Sequence, residues 1–308
     1  MLEHQKVWLN GQLIPWKSAT VPLLSHGFSR GSAIFEVFGI HPGSDGVYAY
    51  RMDKHLDRLF HSAELLGMKL GPSREAIEAG VRQTVGENRI SRGLVKLLAY
   101  WSEEAVIKLV LDSRLDVAIF TVPADDDLAL DQVSPIDICF SQWRKIRSDM
   151  IPGEAKACAN YLNGYLARKD AMDRGYDLGV LLDSEGYVAE GSIESVFMVK
   201  DGSVITTPTG NILRSITRMS ILEAGPKYGI PIVEQRFSPE ALLEADEIFT
   251  SHTGVKVLPV KRIEDRELTP APGPVTRQMM DMMQGICSMA DPNFTHWFQP
   301  MELGTAPQ

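Results

Sequence analysis

Cysteine is scarce in this chain. Cys139, Cys158 and Cys287 are the three among 308 residues. Their odd number and their spacing give neither a CxxC nor a zinc pattern, so they read as ordinary reduced thiols. Long apolar runs are missing too: none reaches the roughly 18 residues that a membrane-spanning helix needs. The segment Met1–Lys6 is polar and has no apolar core of a secretory signal. The expected location is therefore the cytoplasm, with no membrane partner. Positive charge is in deficit, with 31 Lys plus Arg against 40 Asp plus Glu and a formal net charge of −9. That argues against nucleic acid or an anionic membrane as partner, though not against a local basic pocket for a small anion. No GxGxxG follows a strand, and the P-loop, HExxH, EF-hand and GxSxG patterns are all missing. The seven histidines are scattered. His55 and His61 share a helical stretch but do not face each other at a spacing of six, so no metal is expected. Internal repeats and low-complexity tracts are lacking as well.

What is present is an ordinary globular composition, 44% hydrophobic and 23% charged, in a chain long enough for two domains. Val7–Leu9 and Gln12–Ile14 flank Asn10-Gly11, a type I′ hairpin signal. A β region covers Ile34 to Tyr50. Leu56, Leu59, Phe60 and Ala63 recur at helical spacing in Asp53–Leu66, and Gly67 stands where a C′ glycine belongs. Ser73 caps a helix running to Val85. Strands are expected at Leu94–Trp101, Val106–Leu111 and Val117–Val122, and again at Ile136–Ser141. A helix is expected over Ala157–Arg174. Hairpins follow about Ser184-Glu185-Gly186 and about Asp201-Gly202. Helices should start near Ser215 and Ser238-Pro239, and the last should span Pro274–Cys287. The tail from Asp291 reads as irregular. Hairpins with segregated helices indicate the α+β class rather than a doubly wound sheet. Pro123-Ala124-Asp125-Asp126-Asp127 breaks the pattern. It divides the chain into an N-terminal α+β domain (1–122), a linker (123–133) and a C-terminal α+β domain (134–308).

Three features invite chemistry. In Leu213-Arg214-Ser215-Ile216-Thr217-Arg218, a cap at Ser215 leaves the amides of Ile216 and Thr217 in a first helical turn, where an anion is favoured. Glu190 shares a strand face with Val188, and a carboxylate in an apolar layer needs a partner. Lys96 is the lone charge of Leu94–Trp101, on the face of Leu94, Leu98 and Tyr100; it either snorkels to solvent or binds an anion. Taken alone, these residues support an α+β protein with an anion pocket and name no reaction.

In their order along the chain, however, the residues from about Val7 to Met283 resemble the class IV aminotransferases, above all the branched-chain branch. Ala155-Lys156-Ala157-Cys158-Ala159-Asn160-Tyr161-Leu162 is similar to the family's Schiff-base lysine segment. Tyr187–Phe197 is similar to the segment whose glutamate faces the cofactor's pyridine nitrogen. Leu213–Arg218 is similar to the phosphate turn, and Ser251-His252-Thr253-Gly254 to the late phosphate and substrate loop. His55–Leu59 matches the helix with a phosphate arginine. Ser25-His26, Gly31 and Phe35-Glu36 match the early loop.

The resemblance implies a two-domain fold type IV enzyme with pyridoxal 5′-phosphate as cofactor. It places the Schiff-base lysine, Lys156, in the C-terminal domain. Glu190 would face the ring nitrogen and Tyr161 the ring hydroxyl, while Arg58, Thr253, Ile216 and Thr217 would hold the phosphate. Arg30, Phe35, Lys96, Thr253 and Gly254 would meet the substrate. It further implies a homodimer or larger homo-oligomer acting on an amino acid, branched-chain first, and a 2-oxo acid, 2-oxoglutarate. Departures leave the substrate open. Arg30 stands where the branch usually has tyrosine, and Lys96-Leu97 where it has Arg-Pro. Val37 replaces a frequent glycine and Ser195 a frequent asparagine, and Pro226 should kink or break a helix. A D-amino acid transaminase and an aminodeoxychorismate lyase are the alternatives within the fold. A catalytically dead protein that binds the cofactor or an anion is the alternative outside catalysis.

Overall fold

The computed structural model describes residues 2–124 and 133–301. Its first strands and helices are β1 (Lys6–Leu9), β2 (Gln12–Pro15), α1 (His26–Arg30), β3 (Ile34–Pro42), β4 (Val47–Tyr50), α2 (Met52–Leu65) and α3 (Arg74–Glu87). There follow β5 (Gly93–Tyr100), β6 (Asp116–Pro123), β7 (Ile136–Arg144), α4 (Tyr161–Asp173), β8 (Leu178–Leu182), β9 (Val188–Glu190), β10 (Ser195–Lys200) and β11 (Ser203–Thr206). The chain continues through α5 (Ile216–Ala224), β12 (Ile232–Glu234), α6 (Pro239–Leu243), β13 (Glu247–Ser251), β14 (Leu258–Ile263), β15 (Arg266–Glu267), α7 (Pro274–Cys287) and β16 (Phe298–Met301).

The chain folds as two compact units. One gathers the described residues of Met1–Ala129, Ala155–Ala159 and Cys287–Gln308, the other those of Leu130–Glu154 and Asn160–Ile286. Most of the expected linker, residues 125–132 of 123–133, lies outside the described residues.

The first unit is built on an antiparallel sheet in the order β16-β4-β3-β5-β6-β1-β2. The Asn10-Gly11 hairpin forms as expected, with φ of 48° and 99° at its two turn residues. Strand β5 alternates strictly: Val95, Leu97 and Ala99 are buried, and Leu94, Lys96, Leu98 and Tyr100 are half-buried. Its buried face belongs to the same core as Leu56 and Leu59 of α2 and Ile77 and Val81 of α3, each such aliphatic side chain contributing about 1.5–3 kcal/mol. Helix α2 ends where Gly67 takes a φ of 64° and Met68 N–H reaches back to the Ala63 carbonyl at 2.8 Å.

Three expectations fail in this unit. Val106–Leu111 is not a strand, and Val106, Ile107, Leu109 and Val110 are exposed. Side chains of α1 take carbonyls of this stretch, with Arg30 Nη2 donating to Val106 and His26 Nε2 lying 2.9 Å from the Leu109 oxygen. The described part of the tail, to Met301, is not irregular: β16 pairs antiparallel with β4, and Phe294, Trp297, Phe298 and Met301 are buried. Finally, Ala155–Ala159 groups with the first unit rather than with the C-terminal domain. Its backbone explains this. Phe35 N–H donates to the Lys156 carbonyl, Cys158 N–H to Ala33, and Lys156 N–H to Ser62 Oγ, at 3.0, 2.8 and 3.0 Å. The expected helix over Ala157–Arg174 is correspondingly shorter and begins at Tyr161 after one 3₁₀ turn, Cys158–Asn160.

The second unit carries a mixed sheet, β12-β11-β10-β13-β14-β7-β8-β9, with β15 on β14. Its pairs β11–β12, β14–β7 and β7–β8 are parallel. Phe197 and Phe249, opposite each other on β10 and β13, stack with centroids 4.6 Å apart. Helix α5 stops at Ala224 and passes into the 3₁₀ turn Gly225–Tyr228, where Pro226 occupies the start; the expected break is there. Both units mix helices with sheets, as the α+β class requires.

Candidate active site

In the first unit the expected residues gather round Phe35. This ring lies on the half-buried face of β3, opposite Leu98 of β5. Lys96 Nζ is 5.4 Å from its centroid and Lys156 Nζ 4.7 Å, so two ammonium groups contact one aromatic ring. Lys156 is 8% exposed, a burial that lysine rarely accepts. Cys158 lies beside both charges; burial pushes its thiol up, against the downward pull of Lys96 and Lys156.

Under that face lies a group that the motifs did not reveal. Glu36, fully buried on the opposite face of β3, receives Nε and Nη2 of Arg58 at 2.7 Å each, and Nδ1 of His55 is 2.7 Å from the same carboxylate. Burial alone would raise the Glu36 pKa, but the charge and hydrogen bonds of Arg58, helped by His55, bring it to about 2. Burial drives His55 down to about 4, Arg58 and Lys156 adding to that pull against the raising effect of Glu36. Two nitrogens of Arg58 are thus engaged by Glu36, which fixes the plane of the guanidinium. A signal for this group did exist. Glu36 alternates in phase with Ile34 and Phe38, and His55 and Arg58 are three apart on one helix face.

Arg30 is placed differently. It ends α1, is exposed and donates Nη2 to the Val106 carbonyl at 2.9 Å. Gly31 follows with φ 69°, a left-handed position suited to glycine.

In the second unit Glu190 ends β9 and is held at both oxygens. Lys145 Nζ lies 2.5 Å from Oε1, and Leu213 N–H donates to Oε2 at 3.2 Å. The side chains are 14% and 8% exposed for Glu190 and Lys145. The partner that a carboxylate in an apolar layer needs is therefore Lys145, just past β7, in a polar stretch that carries no pattern to mark it. Leu213 lies just before the turn into α5. There Ser215 Oγ accepts from Arg218 N–H at 3.3 Å, the expected cap. Ile216 and Thr217 open the helix, where no helical carbonyl is available to their amides. Tyr161 is the first residue of α4. Thr253 and Gly254 form a turn in which Gly254 N–H donates to His252 Nδ1 at 3.1 Å and Lys256 Nζ to the Thr253 carbonyl at 2.6 Å. Burial, with Lys256 and Arg168 nearby, lowers His252 to about 4, so at neutral pH its Nδ1 is an acceptor.

The first unit thus presents a buried amine, a second cation beside the same aromatic ring and a buried arginine. The second presents a clamped carboxylate and a helix N-terminus joined to it through Leu213. Among the described residues, no group of three or more His, Cys, Asp or Glu is arranged to hold a metal ion. Among those residues, too, no helix is long and apolar enough to cross a membrane.

The family model described as Amino-transferase class IV matches residues 33–263. The branched-chain-amino-acid aminotransferase of Salmonella typhimurium (strain LT2) is 30% identical over 301 residues, covering 96% of this chain and 97% of that protein. Its namesake in Pseudomonas aeruginosa is 29% identical over 275 residues, 89% of this chain and 90% of its own length. Among solved structures, the branched-chain aminotransferase from Thermoproteus uzoniensis with norvaline matches with a TM-score of 0.91 at 30% identity, over 96% of this chain and 99% of that one. The PLP-form of the branched-chain amino acid aminotransferase from Thermobaculum terrenum also gives 0.91 at 30% identity, over 99% and 100%.

Proposed function

The chain belongs to the class IV aminotransferases, and on that premise we propose that it moves an amino group between an amino acid, branched-chain first, and 2-oxoglutarate, with pyridoxal 5′-phosphate attached at Lys156. The observation that carries this reading is the burial of Lys156 at 8% exposure, on a backbone pinned to Ser62 and Phe35. The donor chemistry fits the cofactor: a buried primary amine, a carboxylate clamped at both oxygens and a capped helix start. When bound, the cofactor's ring supplies an electron sink for the bond broken at the substrate Cα.

The residues of this chain do the rest. Lys156 Nζ would carry the proton taken from Cα. Glu190 would hold the proton on the ring nitrogen, and Tyr161 would donate to the ring oxygen. Arg58, Thr253 and the amides of Ile216 and Thr217 would hold the phosphate. Phe35, Lys96, Arg30, Thr253 and Gly254 would meet the substrate. Borohydride reduction of the loaded protein followed by peptide mapping tests the assignment. The pyridoxyl group should sit on Lys156; finding it on another lysine, such as the exposed Lys169, would refute the reading.

Arg58→Ala should act twice. Glu36 would stay buried with His55 as its remaining described partner, which costs about 3–5 kcal/mol when a buried pair is broken. Urea denaturation of the cofactor-free protein measures that loss. The loaded variant should also release cofactor faster on dialysis, because a charge-assisted phosphate contact is gone. Unchanged stability together with unchanged retention would remove Arg58 from the phosphate site.

Lys96 bears on the acceptor. A half-buried cation gains nothing from an aliphatic side chain, whereas a carboxylate offsets its desolvation. Lys96→Ala is expected to raise the KM for 2-oxoglutarate more than that for a monocarboxylic 2-oxo acid. Arg30→Ala should do the same more weakly, since its Nη2 is engaged by Val106. Steady-state kinetics with the two acceptors decides; equal changes for both would mean that neither cation meets the second carboxylate.

A further inference from the structure

We propose that Lys145 is a positioning residue: it locks the Glu190 carboxylate in place and, with Leu213, couples it to the N-terminus of α5. This inference rests on the proposed role of Glu190 and assigns to the reaction a residue that the family motifs do not mark.

The backbone around Lys145 is anchored on both sides. Lys145 N–H donates to the Leu182 carbonyl on β8 at 2.8 Å. Asn163 of α4 spans the residues either side, donating Nδ2 to the Arg144 carbonyl at 3.0 Å and accepting Ile146 N–H on Oδ1 at 3.2 Å. From this fixed point the side chain delivers its ammonium to Glu190 Oε1 at 2.5 Å. The carboxylate's other oxygen takes Leu213 N–H at 3.2 Å. Gripped at both oxygens, the group cannot turn about its terminal bond without losing a buried contact.

The second consequence is metric. Leu213 lies two residues before the cap Ser215, and the Ser215 N–H donates back to the Leu213 carbonyl at 2.8 Å. A single residue thus ties the carboxylate proposed for the ring nitrogen to the helix start proposed for the phosphate. The spacing between those two recognition points is set by Lys145, Glu190 and Leu213 together, before any ligand arrives. Lys145 is also a fixed positive charge beside the carboxylate, so it acts on any proton held nearby. Removing it favours the protonated form of a neighbouring group.

The test compares wild type, Lys145→Met and Lys145→Arg, each loaded with pyridoxal 5′-phosphate. Lys145→Met should lower kcat about tenfold or more, equivalent to ~1.4 kcal/mol, with the KM for the amino donor little changed. The pH at which the loaded protein's visible absorbance changes should move upward by about one unit. Cofactor release on dialysis should quicken. Lys145→Arg, which keeps the charge and the reach, should restore all three readouts most of the way. If Lys145→Met does not fold, Lys145→Gln, which can still donate to Glu190 without a charge, is read in the same way. A variant that merely melts at a lower temperature, with its absorbance transition, release rate and kcat unchanged, would overturn the positioning role. A wild type that acquires no visible absorbance on loading would instead overturn the proposed function, and this inference with it.

Discussion

Lys156→Ala is expected to lose transaminase turnover by at least about a thousandfold, ~4 kcal/mol of transition-state stabilisation, while remaining folded. Two effects separate here. The reactive role goes entirely, because alanine offers neither an amine for covalent attachment nor a base for the proton at Cα. The fold should suffer little. Lys156 packs its ammonium 4.7 Å from the Phe35 centroid, and Lys96 is already 5.4 Å from that ring. Removing one of two like charges beside one aromatic ring relieves repulsion as well as losing a cation–π contact worth about 0.5–2 kcal/mol. The backbone bonds of this residue, from Phe35 and to Ser62, do not depend on its side chain. The measurements are turnover, the visible absorbance after loading and the melting temperature. A variant with no absorbance, no turnover and near-native melting is the expected result. Retained turnover would move the attachment point to another lysine.

Glu190→Gln should be nearly as damaging, for two reasons that a double variant can separate. Glutamine has almost the shape of glutamate but cannot hold the ring-nitrogen proton through a negative charge. A loss of about a hundredfold or more in kcat, ~2.7 kcal/mol, is expected. The near-isosteric exchange would leave folding intact if Glu190 stood alone, but it does not. It faces Lys145 at 2.5 Å, and the two side chains are 14% and 8% exposed. Glutamine would strand a buried ammonium, and breaking such a pair costs about 3–5 kcal/mol. The stability defect should therefore be repaired in Lys145→Met/Glu190→Gln, where both charges are gone, while turnover stays low. Denaturation curves and kcat on wild type and these two variants test this. Recovery of turnover in the double variant would show that Glu190 serves the fold and not the ring.

Much of the local architecture was legible before any coordinates. Asn10-Gly11, Gly67, Ser73, Ser215, Ser238 and Pro226 each act within a few residues of themselves. Turn conformation, a capping oxygen and a missing N–H are short-range physics, and each did what its type dictates. The alternation of β5 likewise placed Lys96 on its face correctly. The site segments were recognisable because each is a contiguous stretch, and the family resemblance that they carried agrees with the class IV match over residues 33–263.

What failed, or was never visible, depends on which distant segment lies alongside. Val106–Leu111 has the residues of a strand, but the carbonyls of Val106 and Leu109 meet side chains of α1, and apolar composition alone did not make it one. Phe298–Met301 looked irregular until β4 supplied its hydrogen bonds. Lys156 was assigned to the C-terminal domain by its position in the chain, whereas its carbonyl and amide are paired with Phe35 and Ser62. The two buried charge groups are the clearest instances. Glu36 with Arg58 and His55, and Glu190 with Lys145, join residues from separate elements. The sequence by itself determined the elements, the chemistry-bearing segments and their family. Only the tertiary structure decided which cation each buried carboxylate meets, because a charge removed from water must be answered by a partner in space, and strand pairing rather than chain order brings that partner within reach.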